Sequence, residues 1–103
     1  MARTIIQMRY SDFNSLQSRL TALLQSRGYK NIVEKNENVW KCGIGMLTAM
    51  KYIKLEYAAN NTLIISGWVR TIMGRDQDLD GFVAAIPKKQ VMNLIQEIQA
   101  IVR

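Results

Sequence analysis

The sequence predicts an α+β fold: one curved antiparallel sheet with two helices packed on its concave side, in the order strand, helix, four or five strands, helix. Three observations predict it. Apolar residues recur at helical spacing near both ends, they alternate with polar residues between, and turn-forming residues cut the alternating stretch at short intervals. Each helix carries one apolar stripe that must be buried, and one face of a sheet can take both. The 103 residues hold no repeat and one proline, Pro87, so residues 1–103 read as a single domain.

Residues 3–9 are short, partly β-branched and bounded by a polar turn, which suits a strand at or next to a sheet edge. Ser11 is placed as an N-cap with Asp12 in the first turn, and Phe13, Leu16, Leu20, Leu23 and Leu24 share one helical face. Arg27 and Gly28 supply the stop, a cation in the last turn and a residue that can take positive φ beyond it. The spacing therefore predicts a helix over 11–27. Strands follow near 29–35, 39–44, 50–58, 62–72 and 81–86, separated by turns at Asn36-Glu37-Asn38, Gly43 to Gly45, Ala59-Asn60-Asn61 and Gly74 to Gly81. Pro87 fits the first turn of a last helix, where its missing N–H costs nothing, and Val91, Leu94, Ile95, Ile98 and Val102 form that helix's apolar stripe.

This order resembles the TATA-binding-protein-like and helix-grip folds, in which a meander wraps a long C-terminal helix, and the resemblance covers almost the whole chain. The stretches Lys30-Asn31-Ile32-Val33, Asn36-Glu37-Asn38-Val39-Trp40 and Leu47-Thr48-Ala49-Met50-Lys51 are similar to a small family of uncharacterised bacterial proteins. Neither resemblance implies an activity, because such scaffolds host lipid pockets, nucleic-acid saddles and regulatory domains alike.

Composition excludes more than it assigns. There is no histidine, so no Ser-His or Cys-His nucleophile, no imidazole metal ligand and no imidazole pH sensor can be built. The lone cysteine, Cys42, cannot close an internal disulfide and reads as a buried structural residue. The first residues are broken by polar side chains too early for a signal peptide, and no apolar run is long enough to span a membrane; the expected setting is the cytoplasm. The glycines of Gly43-Ile44-Gly45 fit neither a dinucleotide fingerprint nor a P-loop, since Thr48 and Met50 stand where glycine is required. They read as a bend before an apolar loop, Met46 to Met50, which is either an interaction surface or core. No paired carboxylates occupy inward strand positions, so no enzyme activity and no cofactor is implied.

The 50–72 hairpin is the most informative segment. A three-residue loop at 59–61 puts Tyr57 opposite Leu63, Leu55 opposite Ile65 and Ile53 opposite Gly67, a core face. The other face then pairs Tyr52 with Trp68, Lys54 with Ser66 and Met50 with Arg70. Exposed there, Tyr52 and Trp68 beside Lys54 and Arg70 would make a stacking platform for bases or other flat anions; the plain alternative is a cross-strand pair that steadies the hairpin. Lys88 and Lys89 begin the last helix, where its dipole disfavours cations, so with Arg75 they are candidates for a phosphate or carboxylate partner; the alternative is that they extend into water. Asp76, Asp78 and Asp80 begin like a calcium loop, but Pro87 stands where the bidentate glutamate belongs, so they are weak metal candidates in an Asp-rich turn.

The charge is +6, and without those three aspartates the other 100 residues carry 14 cations against 5 carboxylates, a basic body around one acidic turn. The expected role is a non-enzymatic binding module for an anionic partner such as nucleic acid, a nucleotide or a phospholipid headgroup. The alternatives are a small hydrophobic-ligand carrier of helix-grip type, or an assembly protein that forms a homodimer through a sheet edge or the Met46 to Met50 loop.

Overall fold

The structure, a computed structural model, describes residues 3–43, 50–71, 74–79 and 85–103. Among the described residues eight elements follow one another: β1 (Thr4–Arg9), α1 (Phe13–Ser26), β2 (Lys30–Glu34), β3 (Glu37–Cys42), β4 (Met50–Ala58), β5 (Thr62–Arg70), β6 (Asp76–Gln77) and α2 (Ala85–Val102). The strands form one open antiparallel sheet in the order β1-β5-β4-β3-β2, with the short β6 also paired to β5. The fold is therefore α+β, a meander with β1 returned to its far edge and both helices against the sheet.

Helix α1 begins one residue later than its cap residues suggest. Asp12, not Ser11, is the N-cap, and its carboxylate accepts from the Ser15 N–H at 3.4 Å. Gly28 ends the helix at φ 85°, as a residue without Cβ can. Leu16, Leu20 and Leu24 are buried, Leu23 packs at the margin of the core, and Phe13 stays partly exposed with its ring edge-on to Tyr57. In α2, Pro87 lies within the first turn, and Val91, Leu94, Ile95 and Ile98 are buried. These two stripes meet Ile53, Leu63, Ile65 and Val69 in one core, so both helices share one face of the sheet.

The hairpin register is the expected one at every pair, from Met50 opposite Arg70 to Ala58 opposite Thr62, although Asn60 and Asn61 both take positive φ where one was expected to. The preceding turn differs. Glu34 pairs directly with Glu37, and Lys35 and Asn36 at φ 52° and 64° form a two-residue reversal, so Glu37 and Asn38 belong to β3. The stretch from Gly74 to Gly81 is likewise not all loop. The Thr71 N–H donates to the Arg75 carbonyl at 2.9 Å, and Asp76 stands opposite Arg70 as β6. Of the strand expected at 81–86, residues 81–84 lie outside the described residues and 85–86 open α2. The Met46 to Met50 loop lies outside them up to residue 49, as does Asp80. Among the described residues, no helix is long and apolar enough to cross a membrane.

Candidate functional site

Strand alternation gives the sheet a second face, opposite the helices, and it carries Tyr52 and Trp68. They stack as the register requires, centroids 5.2 Å apart and planes within 4°. The stack continues across neighbouring strands. The Arg3 guanidinium lies 3.7 Å over the Trp68 ring from the β1 side, and Lys41 of β3 reaches to 5.9 Å from the Tyr52 ring. Arg3, Trp68, Tyr52 and Lys41 thus form a cation–ring–ring–cation row in strand order, each cation–ring contact contributing about 0.5–2 kcal/mol.

The expected exposure of the two rings is not found. Tyr52 is 0% and Trp68 1% exposed, packed with Val39, Ile32 and Met50. What covers them is a lattice of ion pairs. Glu37 receives both terminal nitrogens of Arg3, at 3.1 and 2.7 Å, and the Lys54 ammonium at 3.1 Å. Arg70 donates through Nε to Asp76 at 2.7 Å and through Nη1 to Glu34 and, at 2.8 Å, to the Tyr52 hydroxyl. That hydroxyl in turn donates to Glu34 at 3.0 Å. The cations expected to hold a guest are therefore already engaged by carboxylates of the same chain, two of which flank the 35–36 turn.

Each ionisation state follows from these contacts. The Arg3 hydrogen bonds, with those from Lys54, outweigh burial and hold the Glu37 carboxyl down at about 2. Burial pushes Glu34 upward, but the hydrogen bonds from Arg70 and Tyr52 win and its pKa is lowered. Burial and the Glu34 contact push the Tyr52 phenol up to about 12, and the Asp76 bond holds Arg70 above its ordinary value. Across the neutral range Glu34 and Glu37 are therefore anions, the Tyr52 phenol is neutral and Arg70 is a cation.

Beside the stack is a hollow of about 410 Å³, lined by Trp68, Tyr52, Val39 and the charged groups of Arg3, Lys35 and Arg70 with their carboxylates. Two buried donors on residues that line it, Trp68 Nε1 and Arg3 Nε, have no hydrogen-bond acceptor among the described residues. An orphaned buried donor costs about 1–3 kcal/mol.

Of the remaining candidates, Asp76 alone among the described residues lines this site. Lys88 and Lys89 are on α2, on the far side of the sheet; Lys88 does not extend into water but is 4% exposed and has a partner, while Lys89 is exposed. Arg75 is exposed in the turn before β6. Asp76 is bound to Arg70 and Asp78 is engaged as well, and among the described residues no cluster of three or more His, Cys, Asp or Glu could hold a metal. Cys42 is partly buried at the edge of the core. The sequence reading missed Arg3, Glu34 and Glu37. Pairing β1 with β5, one strand beyond the hairpin, would have placed Arg3 next to Trp68, whereas Glu34 next to Glu37 depends on the 35–36 reversal between β2 and β3. Comparison of the chain with family models, curated proteins and solved structures gives no match.

Proposed function

We propose that the protein is a non-enzymatic binding module that takes a phosphate or carboxylate group on the open face of its sheet. The observation that carries this reading is the hollow together with two unsatisfied buried donors on residues that line it: an anionic oxygen is the acceptor that Trp68 Nε1 and Arg3 Nε lack, and Lys35 lines the same space, where Arg3 and Arg70 are paired with Glu37, Glu34 and Asp76. Burial of the rings disfavours a base stacking on Tyr52 and Trp68 and favours a small anionic group that Arg3 turns to meet. A binding role is also supported by ionisation. A catalytic acid or base works best near the operating pH, and the carboxylates here are depressed while the phenol is raised.

The test is a nuclear magnetic resonance titration of the Trp68 indole N–H with inorganic phosphate and with a mononucleotide at low and high salt. A saturable shift at low salt that fades as salt rises, and is absent in Arg3→Ala, is expected. An indole resonance that neither anion moves overturns the reading.

A further inference from the structure

One margin of the helix-bearing face of the sheet stays open. It is the β2–β3 margin. Val33, on that face by its pairing with Asn38, is 74% exposed. Between this margin and α1 runs a groove of about 360 Å³, at the small end of the range of about 300–1,000 Å³ for ligand pockets.

Its floor is aromatic and aliphatic: Trp40, Leu55 and Tyr57. Tyr57 is held edge-on by Tyr10 and Phe13, with centroids at 5.8 and 4.8 Å, so its ring is fixed before any guest arrives. The rim is polar: Gln17 and Thr21 from α1, Asn31 and Asn38 from the strands. Asn31 Nδ2 donates to the Val39 carbonyl at 3.4 Å, which orients the amide and leaves its oxygen as an acceptor.

No lining residue is charged, in a chain where one residue in five is. A phosphate or carboxylate would find no counter-ion here. A purely apolar guest would strip water from four polar side chains without replacing their hydrogen bonds, at about 1–3 kcal/mol each. A ring with one apolar face and a rim of hydroxyls meets both halves of the groove. Its C–H face lies on Trp40 and Tyr57, and its hydroxyls, each both donor and acceptor, match amides that are the same. We propose that this groove is a second binding site, for a neutral sugar ring, independent of the anion site on the opposite face.

The two tryptophans separate the two sites, because Trp40 lines this groove and Trp68 the other hollow. A ¹H–¹⁵N titration of the unmodified chain with glucose and N-acetylglucosamine reads both indole resonances at once. Saturable shifts of the Trp40 indole and the Asn31 and Asn38 side-chain amides, with Kd about 1 mM, are expected. They should persist at high salt and leave Trp68 unmoved. Asn38→Ala, at an exposed strand position, should weaken binding about three- to tenfold with an unchanged melting temperature. The proposal is overturned if neither sugar moves the Trp40 resonance, or if uridine or glucose 6-phosphate binds there more tightly than the neutral sugars. Failure of phosphate to move Trp68 leaves this site untouched, so the two readings fail separately.

Discussion

Tyr52 shows how much one oxygen can organise. Its ring is held by Trp68, and its hydroxyl donates to Glu34 while accepting from Arg70, so it joins a partly buried carboxylate and guanidinium. Tyr52→Phe keeps the ring and removes only that oxygen, leaving one Arg70 N–H and one Glu34 lone pair less satisfied. Urea unfolding should register a loss of about 1–2 kcal/mol, because hydrogen bonds to charged groups are the stronger kind and their partners remain partly buried. An unchanged stability would mean that water replaces the hydroxyl and that the lattice is looser than its distances imply. The residue scale is also where sequence reading fell short. Alternation assigned Tyr52 and Trp68 to the face away from the helices correctly, but a face away from helices is not the same as an exposed face. Burial there depends on long side chains from Arg3, Glu37, Lys54 and Arg70 folding inward, and rotamers of long charged residues leave no periodic trace in sequence.

Between β5 and α2 the deciding position is Gly67. A Cβ there would stand 2.8 Å from Ile95 Cδ1, 3.1 Å from Val91 Cγ1 and 3.3 Å from Leu79 Cδ1. Gly67 is where the helix comes down onto the sheet, and its missing side chain sets that distance. Gly67→Ala should cost about 1–3 kcal/mol by overpacking. Ile95→Val removes the nearest offending atom, so the double variant Gly67→Ala/Ile95→Val should be more stable than the sum of the single losses by about 0.5 kcal/mol or more in thermal or urea unfolding. Additive losses would place the strain in the strand backbone instead. Elements of this sort were largely legible. The stripes of both helices, the Gly28 stop and the whole β4–β5 register follow from periods of 3.6 and 2 and from turn chemistry. Two elements were not. The 35–36 reversal puts a lysine at positive φ, which no turn rule favours, and β6 is only two residues long, too short for alternation to announce it. Both illegible elements bring carboxylates to the site, Glu34 and Glu37 flanking the turn and Asp76 on β6, which is why the lattice went unread while the strands beneath it did not.

Across the whole molecule, the basic excess and the ion-pair lattice act on stability in the same direction as pH falls. The chain carries +6 at neutral pH with 8 carboxylates, and protonating them leaves its 14 cations unopposed, which favours expansion by self-repulsion. The lattice adds a specific contribution. Glu37 titrates near 2 in the folded protein against an ordinary 4.5, so the folded state holds the proton less tightly than the unfolded one. Its contribution is therefore fully present above about pH 4.5 and is lost as pH falls toward 2. Glu34, lowered in the same direction, adds to the loss. The melting temperature should accordingly be nearly flat from pH 7 to just above 4.5 and then fall continuously to 2. Glu37→Gln separates the lattice from the general repulsion. It cannot ionise, so it should melt lower than the parent at pH 7, show a shallower decline below 4.5, and approach the parent's melting temperature near pH 2, where Glu37 is itself becoming neutral. Two parallel curves would assign the acid sensitivity to net charge alone and would remove Glu37 as the residue that ties Lys54 to the Arg3 guanidinium lying over the Trp68 ring.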